Sequence, residues 1–240
     1  MRPLGISAFV RCKNEEEYIV ASLMSVHRIF DEIIVILNQS TDQTRDLVRE
    51  LAAEHSKIRL VSYDHECAPV GAGYLESVNA VPSRSLAKYY NWCMEQTTYS
   101  HVCKWDGDMI ALPTFERVRE LIGSNDVVAF DGYDVLGRST TNSESRIFRY
   151  DPAHTRYEDW DLYEVLKHEY REVSLFEEKC YLHMKLVKRD WLHRQWVSPN
   201  DFSSTSAPSP GRGSAGMEGK ARVAFWLRNV LRRVLRGIRG

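Results

Sequence analysis

The segment DEIIVILNQSTDQT, Asp31–Thr44, sets five apolar residues, Ile33 to Leu37, directly before a cluster of Asn, Ser, Thr and Asp. Such a run, rich in Ile and Val and closed by turn formers, reads as a strand from Glu32 to Leu37 followed by a helix from Asp42. Ser40 precedes Gln43 by three residues, the spacing of a capping pair. The same unit recurs on both sides. Ile6 to Val10 leads to a helix from Glu15, with Asn14 three residues before Glu17. Ile58 to Tyr63 leads to a helix from about Ser83, His101 to Trp105 to a helix from Pro113, and Val127 to Phe130 forms a further strand. Leu86, Tyr89, Tyr90 and Cys93 fall at the spacing of one buried helix face. This alternation predicts an α/β fold with a mostly parallel sheet flanked by helices.

After Phe130 the rhythm gives way to polar, aromatic-rich sequence with short strand candidates at Arg146–Tyr150 and Tyr181–Leu186. Open α/β sheets bind ligands beyond the carboxyl ends of their strands, so residues 1–130 are expected to form a nucleotide platform and 131–198 a specificity half. From Pro199 to Lys220, 12 of 22 residues are Pro, Gly or Ser, which predicts a flexible linker. Residues 221–240 carry six Arg and no acid, which leaves −7 on the other 220 residues of a chain whose net charge is −1. Val223, Trp226, Leu227, Val230, Leu231, Val234, Leu235 and Ile238 share one side of a helical projection of this segment, opposite the arginines. That pattern predicts an amphipathic helix lying on an anionic membrane surface, although packing on the body or on a second copy also fits. An acidic body argues against nucleic acid as a partner.

Five cysteines, none in a C-x-x-C pair, suggest neither a disulfide framework nor a thiolate zinc site, and fit a reducing compartment. MRPLGISAFV has no signal-peptide pattern, and no window approaches the length of a membrane span. The expected location is cytoplasmic, peripheral on the inner face of the membrane.

The sharpest chemical signal is KWDGDM, Lys104–Met109. Asp106 and Asp108, two apart at the end of a strand, are expected on one face, with Gly107 allowing close approach of a ligand. Two converging carboxylates repel unless a cation separates them, and Mg²⁺ or Mn²⁺ bridging to a diphosphate is the natural occupant. A simple turn closing the strand is the competing reading.

VRCKNEEEYI (Val10–Ile19) and the Asp31–Thr44 segment resemble the opening of family-2 glycosyltransferases, and the resemblance runs through SRSLAKYYNW (Ser83–Trp92) into KWDGD. It implies a GT-A fold and an inverting, metal-assisted transfer of one sugar from a nucleotide-diphosphate sugar, most simply a UDP-sugar. It also implies that Arg11, Asn14, Glu15 and Asn38 surround the nucleotide, that Arg84 or Lys88 meets the diphosphate, and that Asp106 holds ribose and metal with Asp108. The family often has two acids where this chain has Leu37 and Asn38. YEDWD, Tyr157–Asp161, resembles the family's E-D motif, whose acid is the catalytic base at a helix start. Asp159 is the first candidate, Glu158 the second and Asp161 the third, with His168–Glu169 a rival pair and ordinary helix capping an alternative. His183 is a possible third metal ligand. The Q-x-x-R-W motif of processive relatives is absent, which favours single transfer, and tethering by residues 221–240 would suit a lipid-linked or surface-glycan acceptor, as in lipopolysaccharide or polysaccharide assembly. A pyrophosphorylase-like nucleotidyltransferase and an inactive membrane-tethered scaffold are the alternatives.

Overall fold

A computed structural model describes residues 2–135, 144–170 and 172–188. The expected linker at 199–220, the amphipathic helix at 221–240 and the domain end at 198 lie outside them. The first half alternates strand and helix as the apolar runs dictate: β1 (Ile6–Cys12), α1 (Ile19–Val26), β2 (Glu32–Leu37), α2 (Thr44–Glu54), β3 (Ile58–Ser62), α3 (Tyr74–Ala80), α4 (Leu86–Glu95) and β4 (His101–Asp106). Short strands follow: β5 (Met109–Ala111), β6 (Val127–Phe130), β7 (Tyr133–Asp134), β8 (Glu144–Arg149), β9 (Arg156–Asp159), β10 (Glu164–Lys167), β11 (Val173–Phe176) and β12 (Tyr181–His183).

Seven strands form the central sheet in the order β11-β6-β8-β4-β1-β2-β3, with β8 alone antiparallel to its neighbours. Side-chain alternation divides each central strand between two cores. Ile33, Val35 and Leu37 pack with Trp105, Phe30 and Phe115 under α1, whereas Ile34 and Ile36 join Tyr74, Tyr90 and Cys93 beneath α3 and α4. Both faces are covered, which is why β2 reads as an unbroken apolar run rather than an alternating one. Leu86, Tyr89, Tyr90 and Cys93 are all buried, as their spacing requires.

Three local expectations change. Neither α1 nor α2 is closed by a side-chain cap. Asn14 adopts a left-handed backbone (φ 57°), which turns its Oδ1 across to accept from Thr41 N at 2.8 Å and so ties the loop after β1 to the loop after β2. The segment from Pro113 forms a 3-10 run to Leu121 rather than an α-helix. Glu158–Asp161 does not start a helix: Arg156–Asp159 is a strand, paired antiparallel to β10. No helix among the described residues is long and apolar enough to cross a membrane.

Candidate functional site

The carboxyl ends of β1, β2 and β4 open into a cleft of about 470 Å³ whose lining includes Arg11, Glu15, Asn38, Asp106, Asp108 and His183. β1 delivers Arg11 and β4 delivers Asp106 as paired residues of adjacent parallel strands. The Arg11 guanidinium donates from Nε to Asp106 Oδ1 at 2.9 Å and also from Nη2, while its Nη1 reaches the Tyr90 hydroxyl. β8 brings a second cation. Cys103 pairs with Ile147 across the antiparallel ladder, so Arg146 stands one step further along, with Nη1 3.5 Å from Asp106 Oδ2. Burial by itself would raise the Asp106 carboxyl, but Arg11 and then Arg146 outweigh it and hold the group well below the usual carboxylate range.

β4 ends at Asp106, and Gly107 and Asp108 form a turn, so the two acids are not alternate residues of one strand face. Gly107 N donates to Arg11 O at 3.2 Å. A Cβ on Gly107 would stand 2.9 Å from Glu15 Cγ and 3.0 Å from Cys12 Sγ. The glycine therefore serves the approach of this turn to the end of β1.

Asp108 belongs to a different cluster. β12 runs antiparallel to β5 with His183 opposite Met109, and Met184 N donates to Asp108 O at 2.8 Å. That register sets His183 Nε2 3.3 Å from Asp108 Oδ1. Five residues on, Lys188 Nζ lies 2.7 Å from Asp108 Oδ2 and 2.6 Å from Glu15 Oε1. The other Glu15 oxygen, Oε2, is buried with no hydrogen-bond partner. One ammonium thus faces two buried carboxylates. Burial would raise Asp108, but the hydrogen bond and charge of His183, followed by Lys188, keep it lowered. Glu15 is pushed up to about 8 by burial and then by the charge of Asp108, against the opposing pull of Lys188.

The sign of the Glu15 shift fixes a pH dependence. Between an unfolded value of about 4.3 and about 8 the folded chain holds a proton that the unfolded chain has lost, so stability falls as pH rises through that window. Glu15→Gln removes this titration. Its melting temperature relative to wild type is expected to rise by a few degrees from pH 5 to pH 8.5, read by circular dichroism, and a constant difference across that range would contradict the assignment.

A divalent ion fits part of this arrangement. Two ligand atoms at right angles around one ion lie about 3 Å apart, close to the Asp108–His183 separation, and carboxylate oxygen with imidazole nitrogen suits Mn²⁺. Asp106 fits less well, because its oxygens already face two guanidiniums. No group of three or more His, Cys, Asp or Glu among the described residues is placed to hold a metal. The chain offers two ligands, and phosphate oxygens and water would complete the shell.

The other sequence candidates are scattered. Asn38 lines the cleft, and its Nδ2 donates to Tyr63 O at 3.2 Å and His65 O at 2.7 Å. Asn14, Arg84 and Lys88 are not among the cleft's lining residues. Arg84 instead meets Ser77 Oγ at 2.9 Å and Glu66 at 3.5 Å. Asp159 accepts from the Tyr74 hydroxyl, from Ser85 Oγ at 2.6 Å and from Ala87 N at 3.1 Å, so it brackets the start of α4. Glu158 pairs with Arg156 at 2.7 Å, and the His168 ring stacks on Tyr170. Neither Asp159 nor Glu158 lines the cleft. The residues missed from sequence are the cations Lys13, Lys104, Arg146, Lys185 and Lys188, all of which line it. Lys13 and Lys104 lie within the quoted stretches VRCKNEEEYI and KWDGDM, but Arg146, Lys185 and Lys188 arrive through tertiary pairing that no local pattern announces.

A larger groove of about 860 Å³ lies at the opposite end of the strands, beside the amino ends of β1 and β4, between Arg2, Ser100 and Tyr150. Its charges are mostly committed: Arg149 pairs with Asp126, and His154 with Asp151 at 2.9 Å.

A mostly parallel sheet with one reversed strand, carrying an acid- and cation-lined cleft at the carboxyl ends of β1, β2 and β4, defines a GT-A fold. Residues 7–67, about a quarter of the chain, match the family model described as glycosyl transferase family 2. An uncharacterized glycosyltransferase of Rickettsia typhi is 45% identical over 49 residues, which are 20% of this chain and 17% of that protein. TarS of S. aureus, in a crystal structure of its residues 1–349, overlays with a TM-score of 0.52 at 16% identity, covering 76% of this chain and 61% of that one. A mannosyltransferase from Pyrobaculum calidifontis, solved with GDP-Man and Mn²⁺, overlays at 0.40 and 22% identity over 55% of this chain and 36% of that one. This chain therefore spans less than two thirds of each of these relatives.

Proposed function

We propose that the chain transfers a single sugar from a nucleotide-diphosphate sugar to an acceptor hydroxyl, with inversion at the anomeric carbon. The observation that carries this reading is the cleft at the strand ends, where Asp106 and Asp108 stand among Arg11, Lys13, Arg146, Lys185 and Lys188. A diphosphate needs such a concentration of positive charge, and Lys13 and Lys185 have no ion-pair partner among the described residues to compete for them. The base of the nucleotide falls to Asn38. Both of its amide hydrogens are spent on backbone carbonyls, leaving the amide oxygen to accept from a ring N–H, which uracil offers, as do thymine and guanine; a UDP-sugar fits this on the family resemblance.

Asp108 and His183 are the residues that would hold Mg²⁺ or Mn²⁺; when bound, such an ion neutralises charge developing on the departing diphosphate. Arg11 holds Asp106 in place, and the lysines bind phosphate oxygens. The acceptor's proton passes to a carboxylate in an in-line displacement. Asp159 remains our candidate, and to take the proton it would exchange its bond from Tyr74 or Ser85 for one from the acceptor. A lipid-linked or surface-glycan acceptor is supported by the basic, apolar-sided sequence of residues 221–240.

Incubating the full chain with a panel of nucleotide-diphosphate sugars and Mn²⁺ tests the reading. Release of nucleoside diphosphate from one donor, accelerated by a glycan or glycolipid acceptor, is expected; no release from any donor with any acceptor would contradict it.

A further inference from the structure

Lys188 stands where the electrostatics of the cleft call for a cation. Glu15 and Asp108 are carboxylates with side chains only 9% and 6% exposed, and the Lys188 ammonium reaches both within 2.7 Å. Two buried acids at such range do not both ionise freely: the ammonium keeps Asp108 charged, while Glu15, held protonated up to about pH 8, accepts its second hydrogen bond. Asp108 divides its oxygens, Oδ1 toward His183 and Oδ2 toward Lys188. An ion held by Asp108 and His183 would therefore share a carboxylate with an ammonium of the same sign. The second oxygen of Glu15, buried and unpartnered, shows that the lysine does not fully satisfy the acids it joins.

We propose that Lys188 is the resident counter-ion of this site, occupying the Glu15–Asp108 gap until a divalent ion displaces it, and that it sets the affinity of the cleft for that ion. The inference rests on the metal role read above for Asp108 and His183. Displacement frees the ammonium within a cleft that also contains Lys185, where it can turn to a phosphate oxygen. The empty site is then weak for metal alone and stronger once a diphosphate is present to receive the lysine.

The test is Mn²⁺ binding to the full chain without nucleotide, followed by the electron paramagnetic resonance of free Mn²⁺ in wild type, Lys188→Met, Lys188→Arg and Asp108→Asn. Lys188→Met is expected to bind Mn²⁺ about 10-fold more tightly than wild type, Lys188→Arg to match wild type, and Asp108→Asn to lose the site. Without metal, Lys188→Met is expected to melt below wild type, and Mn²⁺ to raise its melting temperature by more than it raises that of wild type. Should the methionine variant fail to fold, Lys188→Gln removes the same charge while keeping a polar end. Equal or weaker binding by the neutral variant, with the site still abolished by Asp108→Asn, overturns the lysine proposal and leaves the metal reading standing. Absence of Asp108-dependent Mn²⁺ binding in every protein overturns both.

Discussion

Asp106→Ala is expected to lower the melting temperature by roughly 6–12 °C at pH 7. The carboxylate is 13% exposed and accepts from Arg11 while Arg146, 7% exposed, lies against its other oxygen. Removing it leaves two guanidiniums facing each other in a cleft wall with no acid between them. Breaking a buried pair from one side costs about 3–5 kcal/mol, and the partial exposure of Arg11, 31%, argues for the lower end. At about 2–4 °C per kcal/mol for a domain of this size, that gives the stated range. The effect carries its own pH signature. Asp106 has a folded value below its unfolded one, so its contribution is complete above about pH 4 and is lost as pH falls through the folded value. The difference between wild type and variant should accordingly shrink at pH 3, and equal melting at pH 7 would show that the Arg11–Asp106–Arg146 cluster is not structural.

Asp108→Asn lowers stability too, because its NH2 replaces the oxygen that accepts from Lys188, but its larger effect is on function. The amide keeps the shape of the side chain and an acceptor for His183, and Lys188 keeps Glu15. What disappears is the negative charge that would hold a divalent ion beside the diphosphate. Loss of one such preorganised electrostatic contact costs about 10²–10³ in turnover, so donor cleavage is expected to fall by at least 100-fold and to lose its response to Mn²⁺. The comparison to make is nucleoside diphosphate release by wild type and variant across a Mn²⁺ titration. Activity within a few fold of wild type, still metal-dependent, would remove Asp108 from the metal role.

How much of this could be read from the chain alone follows from where the information resides. β1, β2, β4 and β6 were legible because each is a short apolar run with turn residues behind it, and the buried face of α4 was legible from the spacing Leu86, Tyr89, Tyr90, Cys93. α3, Tyr74–Ala80, was not anticipated: it is a seven-residue helix that follows Gly71 and Gly73, both with positive φ, which read as loop. Local patterns also misassigned partners. Asn14 looked like a helix cap because the residue type and spacing fit, but its left-handed backbone aims the side chain at Thr41. Asp159 was expected at a helix start, whereas it closes strand β9, paired with β10, and its carboxylate accepts from Tyr74, Ser85 and Ala87. Asp106 ends β4 and Asp108 sits in the turn behind it, and their partners come from elsewhere: Arg146 through the β4–β8 ladder, His183 through the β5–β12 register, and Lys188 beyond it. Long-range pairing leaves no periodic trace, so of the cleft's cations Arg11 was visible while Arg146, Lys185 and Lys188 stayed hidden.

The most direct test is whether the cleft takes a nucleoside diphosphate. Thermal shift of wild type and Asp108→Asn with UDP, GDP, CDP, ADP and dTDP, each beside its parent nucleoside and with or without Mn²⁺, reads this in one plate. A ligand at 100 times its dissociation constant adds about 2.7 kcal/mol of stability, or roughly 5–11 °C here. One diphosphate, expected to be UDP, should produce that shift in wild type with Mn²⁺ and much less in the variant or as the bare nucleoside; no shift with any diphosphate, or the same shift in both proteins, would contradict a nucleotide-sugar site at these strand ends.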